Sequence, residues 1–210
     1  MNITLPGTLI VLLSGLLISG CQVLPTPAKV TLYALPASPS TAEADVSGKA
    51  HHQAHSGKSL QLTIPGSSDA LAGNRLMVKD SHHGLTAYAG VRWESSVPHL
   101  WHDYLHQKLL ADPGFPVVST ASESLVTDWV LMGTLRDFQL ETGKGTEQVA
   151  IRYNAIVVSS KTREHIASYT FSAEEPVVGT EPAEVIEGFG RAADQVSNDL
   201  LNWLITLPSK

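Results

Sequence analysis

The sequence predicts one domain of mixed α and β structure, in which a long antiparallel meander packs against two main helices. Three observations lead there. Long runs with period-two alternation and many β-branched residues follow one another in the C-terminal half, and two other segments carry the helical period. Apolar residues make up 43% of the chain against 16% charged, the balance of a globular protein with a sizeable core.

Taken in order, residues 29–35 alternate Val30, Leu32 and Ala34 with Lys29, Thr31 and Tyr33, which predicts a first strand. Residues 36–58 are rich in Pro, Ala, Ser and Gly and predict a flexible insertion outside the core. "LQLTI" (60–64) alternates cleanly, and "RLMVKD" (75–80) and "LTAYAGVRW" (85–93) are strands flanking a His-His-Gly turn. A helix over 98–111 starts after Ser96 as the cap, with proline in its first turn, and stops at Asp-Pro-Gly. Then come the three strands of the meander, 127–141, 147–160 and 165–175, with "TGKGT" as the first hairpin loop. The last element is a helix over 182–207, where Val185, Ile186, Phe189, Ala193, Val196, Leu200, Trp203 and Leu204 form a stripe about 100° wide that faces the core.

Residues from Thr8 to Ile18 are almost all apolar, well short of the roughly 20 that span a bilayer, and are followed by Ser19, Gly20 and Cys21. This is the pattern of an export signal over 1–20 with cleavage just before Cys21, although no Lys or Arg precedes the apolar run. The order branched-aliphatic, small, small, Cys resembles the bacterial lipobox, whose cysteine thiol receives a diacylglycerol and whose freed amine receives a third acyl chain. Each buried methylene contributes about 0.8 kcal/mol, and two or more chains anchor a protein stably where one does not. Residues 21–28 then form a lipidated tether and 29–207 the domain. With Cys21 acylated no thiol remains, so no disulfide braces the fold and cohesion comes from packing. A net charge of -6 argues against a general nucleic-acid binder, since no basic stripe is present to displace phosphate counterions.

The nine histidines raise the question of a metal. His99, His102 and His106 are spaced to project along one side of a helix, a familiar zinc arrangement. The same wheel puts Leu100, Trp101, Tyr104, Leu105 and Leu109 opposite them, so the imidazoles read as a solvated face and as weak metal candidates only. His51, His52 and His55 fall in the insertion, where ordering a site costs chain entropy. Phosphate-binding patterns fail: "SGKS" (56–59) has His52 where a glycine belongs, and "GFGRAA" (188–193) lies inside the amphipathic helix with no strand before it. No Gly-x-Ser-x-Gly, Ser-x-x-Lys or His-Glu-x-x-His occurs, and Glu174 and Glu175 point to opposite faces of a strand. The chain reads as a non-enzyme without a cofactor.

Residues 74–118, "NRLMVKDSHHGLTAYAGVRWESSVPHLWHDYLHQKLLADPGFPVV", together with the early Tyr33, Ala34, Leu35, Pro36, carry a resemblance. They resemble the ABC-type transport auxiliary lipoprotein family, the class that includes the paraquat-inducible lipoprotein C. Its ordered marks are the lipobox, Tyr-x-Leu-Pro, an aromatic at Tyr88, Arg92-Trp93, a helix started by Pro98, a meander and a final helix. The resemblance implies an α/β sandwich around a mixed sheet and no catalytic residues. It implies an outer-membrane lipoprotein facing the periplasm, working with an inner-membrane permease and a mammalian-cell-entry-type protein in intermembrane lipid transport. Gln22 after the cysteine favours the outer membrane in the sorting rule known for such lipoproteins. Assembly of several copies is a further expectation. Read on their own, Tyr88, Arg92 and Trp93 suggest a structural clamp, or failing that a partner contact: Trp93 can cover the start of the following helix, and Arg92 can stack on aromatics and bond carbonyls. Two other classes compete with the transport accessory: a histidine-bearing metal- or stress-responsive binding lipoprotein, and a periplasmic enzyme with a scattered site.

Overall fold

The computed structural model describes residues 29–37, 57–123, 125–143, 145, 147–179 and 181–208. The signal 1–20, Cys21 and its tether to 28, His51, His52 and His55, and residues 38–56 of the insertion lie outside the described residues.

The architecture is built on one strand, β7 (Trp129–Glu141). Alternation, stepped by a register shift between Leu135 and Asp137, buries Trp129, Leu131, Leu135, Phe138 and Leu140 on one face. Along one edge it pairs antiparallel with β8 (Gln148–Ser159), which pairs in turn with β9 (His165–Pro176), giving the meander that the alternation predicts. The other edge is tiled by three short strands, all parallel to β7. β2 (Leu60–Leu62) meets Trp129 to Leu131, β3 (Gly66–Ser67) meets Thr134 and Leu135, and β4 (Arg75–Lys79) meets Gln139 to Glu141.

Beyond these, β5 (Leu85–Trp93) runs antiparallel to β4, β1 (Thr31–Tyr33) lies parallel to β5, and β6 (Val118–Thr120) lies parallel to β2. Among the described residues the result is a mixed sheet of nine strands. β3, β6 and a short 3-10 turn at Ala121–Glu123 have no counterpart in the sequence reading. Segments of two or three residues carry no measurable period.

Two helices, α1 (Val97–Ala111) and α2 (Pro182–Thr206), cover the buried face of the sheet. Trp101 of α1 lies against Tyr153 of β8, and Phe189 of α2 lies against Phe138 of β7. The helices are tied to each other by a polar contact as well. Tyr104 Oη donates to Asp194 Oδ1 at 2.5 Å, and Lys108 pairs with the same carboxylate. Burial first, and then Asp194, push the Tyr104 phenol well above its ordinary pKa, so it stays a neutral donor. Ser96 is the N-cap of α1 by position, but its hydroxyl bonds the His99 ring at 2.8 Å and caps no backbone N–H. No helix among the described residues is long and apolar enough to cross a membrane.

Close packing replaces the missing disulfide. A Cβ on Gly133 of β7 would lie 2.4 Å from the Tyr153 ring, so the buried tyrosine lies directly over that glycine. A Cβ on Gly190 of α2 would lie 2.8 Å from Pro36 Cγ and 2.9 Å from Pro36 O. The segment after β1 therefore rests on the helix through a glycine, with Leu35 buried beside it. The Gly-Phe-Gly of 188–190 thus serves packing: Phe189 fills the core while Gly190 admits the chain. Gly190→Val should lower stability by about 1–3 kcal/mol through overpacking, read as a fall in the thermal unfolding midpoint.

Candidate functional site

The residues singled out by the sequence gather where β5 passes into α1. Alternation along β5 sends Val91 and Trp93 into the core and Arg92 to the opposite face of the sheet. Between Arg75↔Arg92 and Met77↔Ala87 the register advances two steps along β4 and five along β5, so residues 88–91 bulge away from β4. Gly90 sits in that bulge at φ +71°, and a Cβ there would press on Lys29 O at 3.2 Å. Only glycine meets both conditions without strain.

Trp93 is fully buried. Its ring meets Phe189 edge-on at 5.0 Å and Phe138 at 5.6 Å. Asn74, just before β4, holds the strand end from outside. Trp93 N–H donates to Asn74 O at 2.8 Å, Asn74 Nδ2 donates to Trp93 O at 3.3 Å, and Arg92 Nη1 donates to Asn74 Oδ1 at 3.3 Å. One residue earlier, Gly73 O accepts the first N–H of α1, from Val97. Asn74 is the residue the sequence reading missed. A lone asparagine before a strand is an ordinary turn signal, and its role appears only once the Arg75↔Arg92 register is known. Tyr88 is half-buried and packs against the core; burial, followed by Glu181 and Glu147, raises its phenol pKa.

The histidines of α1 do not form one solvated row. His99 is exposed, but His102 is 8% exposed and bonds Asp103 through Nδ1 at 2.9 Å, while His106 is half-buried and stacks on His102 with ring centroids 6.2 Å apart. The wheel underestimates burial because α1 is enclosed by α2 and the β6 edge as well as the sheet, so the covered arc is wider than the Leu and Trp stripe. Among the described residues, no group of three or more His, Cys, Asp or Glu is placed to hold a metal ion. Glu174 and Glu175 also separate: the first accepts from Gln148 Nε2 and the second pairs with Arg191 of α2.

Residues 33–200 match the model of the ABC-type transport auxiliary lipoprotein component. The chain belongs to that family. The match begins at Tyr33, the first residue of the Tyr-x-Leu-Pro that docks on α2, and takes in α1, the whole meander and α2 as far as Leu200. The auxiliary lipoprotein fold also resembles that of protein XCC0632 from Xanthomonas campestris, at 20% identity and a TM-score of 0.69, covering 83% of this chain and 95% of that one. An uncharacterized protein of known structure aligns at 17% identity and a TM-score of 0.63 over 84% of this chain and 99% of its own. No curated protein matches the chain in sequence.

Two outcomes follow from this geometry. Asn74→Ala should cost about 1–3 kcal/mol, since it frees a partly buried carbonyl and a guanidinium at once, and urea unfolding would show it as a lower midpoint. Zinc titration followed by calorimetry should give an affinity weaker than about micromolar, some 8 kcal/mol of binding, with His99, His102 and His106 intact.

Proposed function

We propose that this auxiliary lipoprotein is held at the outer membrane by acyl chains on Cys21, faces the periplasm, and serves a lipid transport system as a component that acts by placement and without catalysis. Its partners in that system are an inner-membrane permease and a mammalian-cell-entry-type protein. The family match over 33–200 carries the reading, and the lipobox at Cys21 supports it. Seven residues separate that cysteine from Lys29, where the described domain starts. Anchoring is strong on general grounds: several acyl chains, at about 0.8 kcal/mol per buried methylene, exceed what one chain provides.

The role of position explains why the conspicuous side chains are buried. Trp93, Trp101 and Tyr153, which could line a substrate pocket, are instead consumed by the core. What remains for a partner is surface.

Cys21→Ala should leave the domain folded and release it from membranes, with sedimentation at high salt as the readout. Mass spectrometry of the native N-terminal peptide should show a diacylglyceryl modification. A native protein with an unmodified thiol at Cys21 contradicts the anchor, and one that is anchored but never co-purifies with a permease or a mammalian-cell-entry-type protein contradicts the transport role.

A further inference from the structure

Four cations of this acidic chain are neutralised in place. Lys79, Lys108, Arg152 and Arg191 are each paired with a carboxylate. At the β1–β5–β4 corner the pattern changes. The register places Leu32 beside Arg92 and Arg92 beside Arg75, so a leucine and two arginines form one row across three strands, on the face away from the helices. Arg75 is exposed and Arg92 half-buried. Neither has a carboxylate partner among the described residues, and like charges directly opposite across strands repel. Lys29, also exposed, lies just before β1 at the same corner. Val30 and Leu32 are 47% and 60% exposed there, and the β5 bulge leaves a depression of about 210 Å³ lined by Val30, Arg75, Ala87, Gly90 and Arg92.

We propose that this corner is a docking face for anionic phospholipid headgroups of the membrane that holds the protein's own anchor. The inference rests on the Cys21 reading above and adds an orientation to it. Chain length is the first argument. From Cys21 to Lys29 is eight residue steps, which at full extension reach about 28 Å, so the β1 corner is the part of the domain confined closest to the bilayer. Chemistry is the second. Guanidinium groups bind phosphate oxygens in bidentate fashion and are less strongly hydrated than ammonium groups, while exposed Val30 and Leu32 can enter the headgroup region beside them. An anionic headgroup between Arg75 and Arg92 also relieves their mutual repulsion. The attraction acts within about a Debye length, roughly 8 Å at physiological ionic strength, so the corner can be drawn to an anionic surface although the whole chain is acidic.

Because Cys21 is the only cysteine, the acylated protein can carry one introduced thiol for labelling. The test uses the full-length lipoprotein, purified from membranes and placed in vesicles of phosphatidylcholine alone or with phosphatidylglycerol, with an environment-sensitive fluorophore on Leu32→Cys. A second probe on Asn198→Cys, exposed on α2, serves as the control. The Leu32 probe should shift to the blue on anionic vesicles only, revert in high salt, and leave the control unchanged. Arg75→Gln with Arg92→Gln should reduce the docked-to-undocked ratio by about thirtyfold, the factor expected for two cations at an anionic surface. Protein that floats with vesicles while its Leu32 probe stays in water keeps the anchor and overturns the docking face. A probe wet on both vesicles but shielded in native membranes gives the face to a protein partner and also overturns the proposal. Protein that does not float removes the anchor and the docking face together.

Discussion

The contact on which most of the structure depends is the meeting of three rings: Trp93 from β5, Phe138 from β7 and Phe189 from α2. Phe138 and Phe189 lie 4.9 Å apart, and Trp93 stands edge-on to Phe189, so one cluster fixes a strand, the central strand and a helix against each other. Such ring pairs add about 0.5–1.5 kcal/mol each beyond the area they bury. The geometric effect is larger than the energetic one. With Trp93 held inward, alternation leaves Arg92 no choice but the outer face, and Asn74 and Arg75 are brought alongside. An interior packing decision thus sets the chemistry of an exposed corner.

The same logic explains the two glycines that matter most. Tyr153 lies across Gly133, and Pro36 lies across Gly190, in each case where a methyl group would collide. A chain without a disulfide must hold its termini by contact, and here the segment leaving β1 is held by the last helix.

Much of this was legible beforehand. The long strands β5, β7, β8 and β9 and both helices appear where periodicity placed them, because each is long enough for a period to emerge above composition. Outside the meander, pairing was not legible. β2, β3 and β4 are short and lie parallel to β7, and a two-residue strand such as β3 exists only because β7 offers it an edge. The burial of His102 was missed for a related reason, since a helical wheel registers the hydrophobicity of the helix itself and not how many neighbours surround it. The resemblance supplied Arg92 and Trp93 as a pair, but their separation onto opposite faces, and the company of Arg75, require register. The dinucleotide-like run at Gly188 to Gly190, set aside in the sequence because no strand precedes it, is a place where backbone comes close.

The tiling of β7 bears on how such a chain could cross a membrane. β2, β3 and β4 precede β7 by at least 50 residues, yet each finds its ladder on it. Until β7 arrives, the leading half can close only the β4–β5 hairpin and the brief β1–β5 and β2–β6 contacts, and a lone hairpin is marginal in water. An exporter threading this polypeptide from its N-terminus would therefore meet a slack chain for most of the passage. The tertiary structure would lock only when the trailing half emerges on the far side.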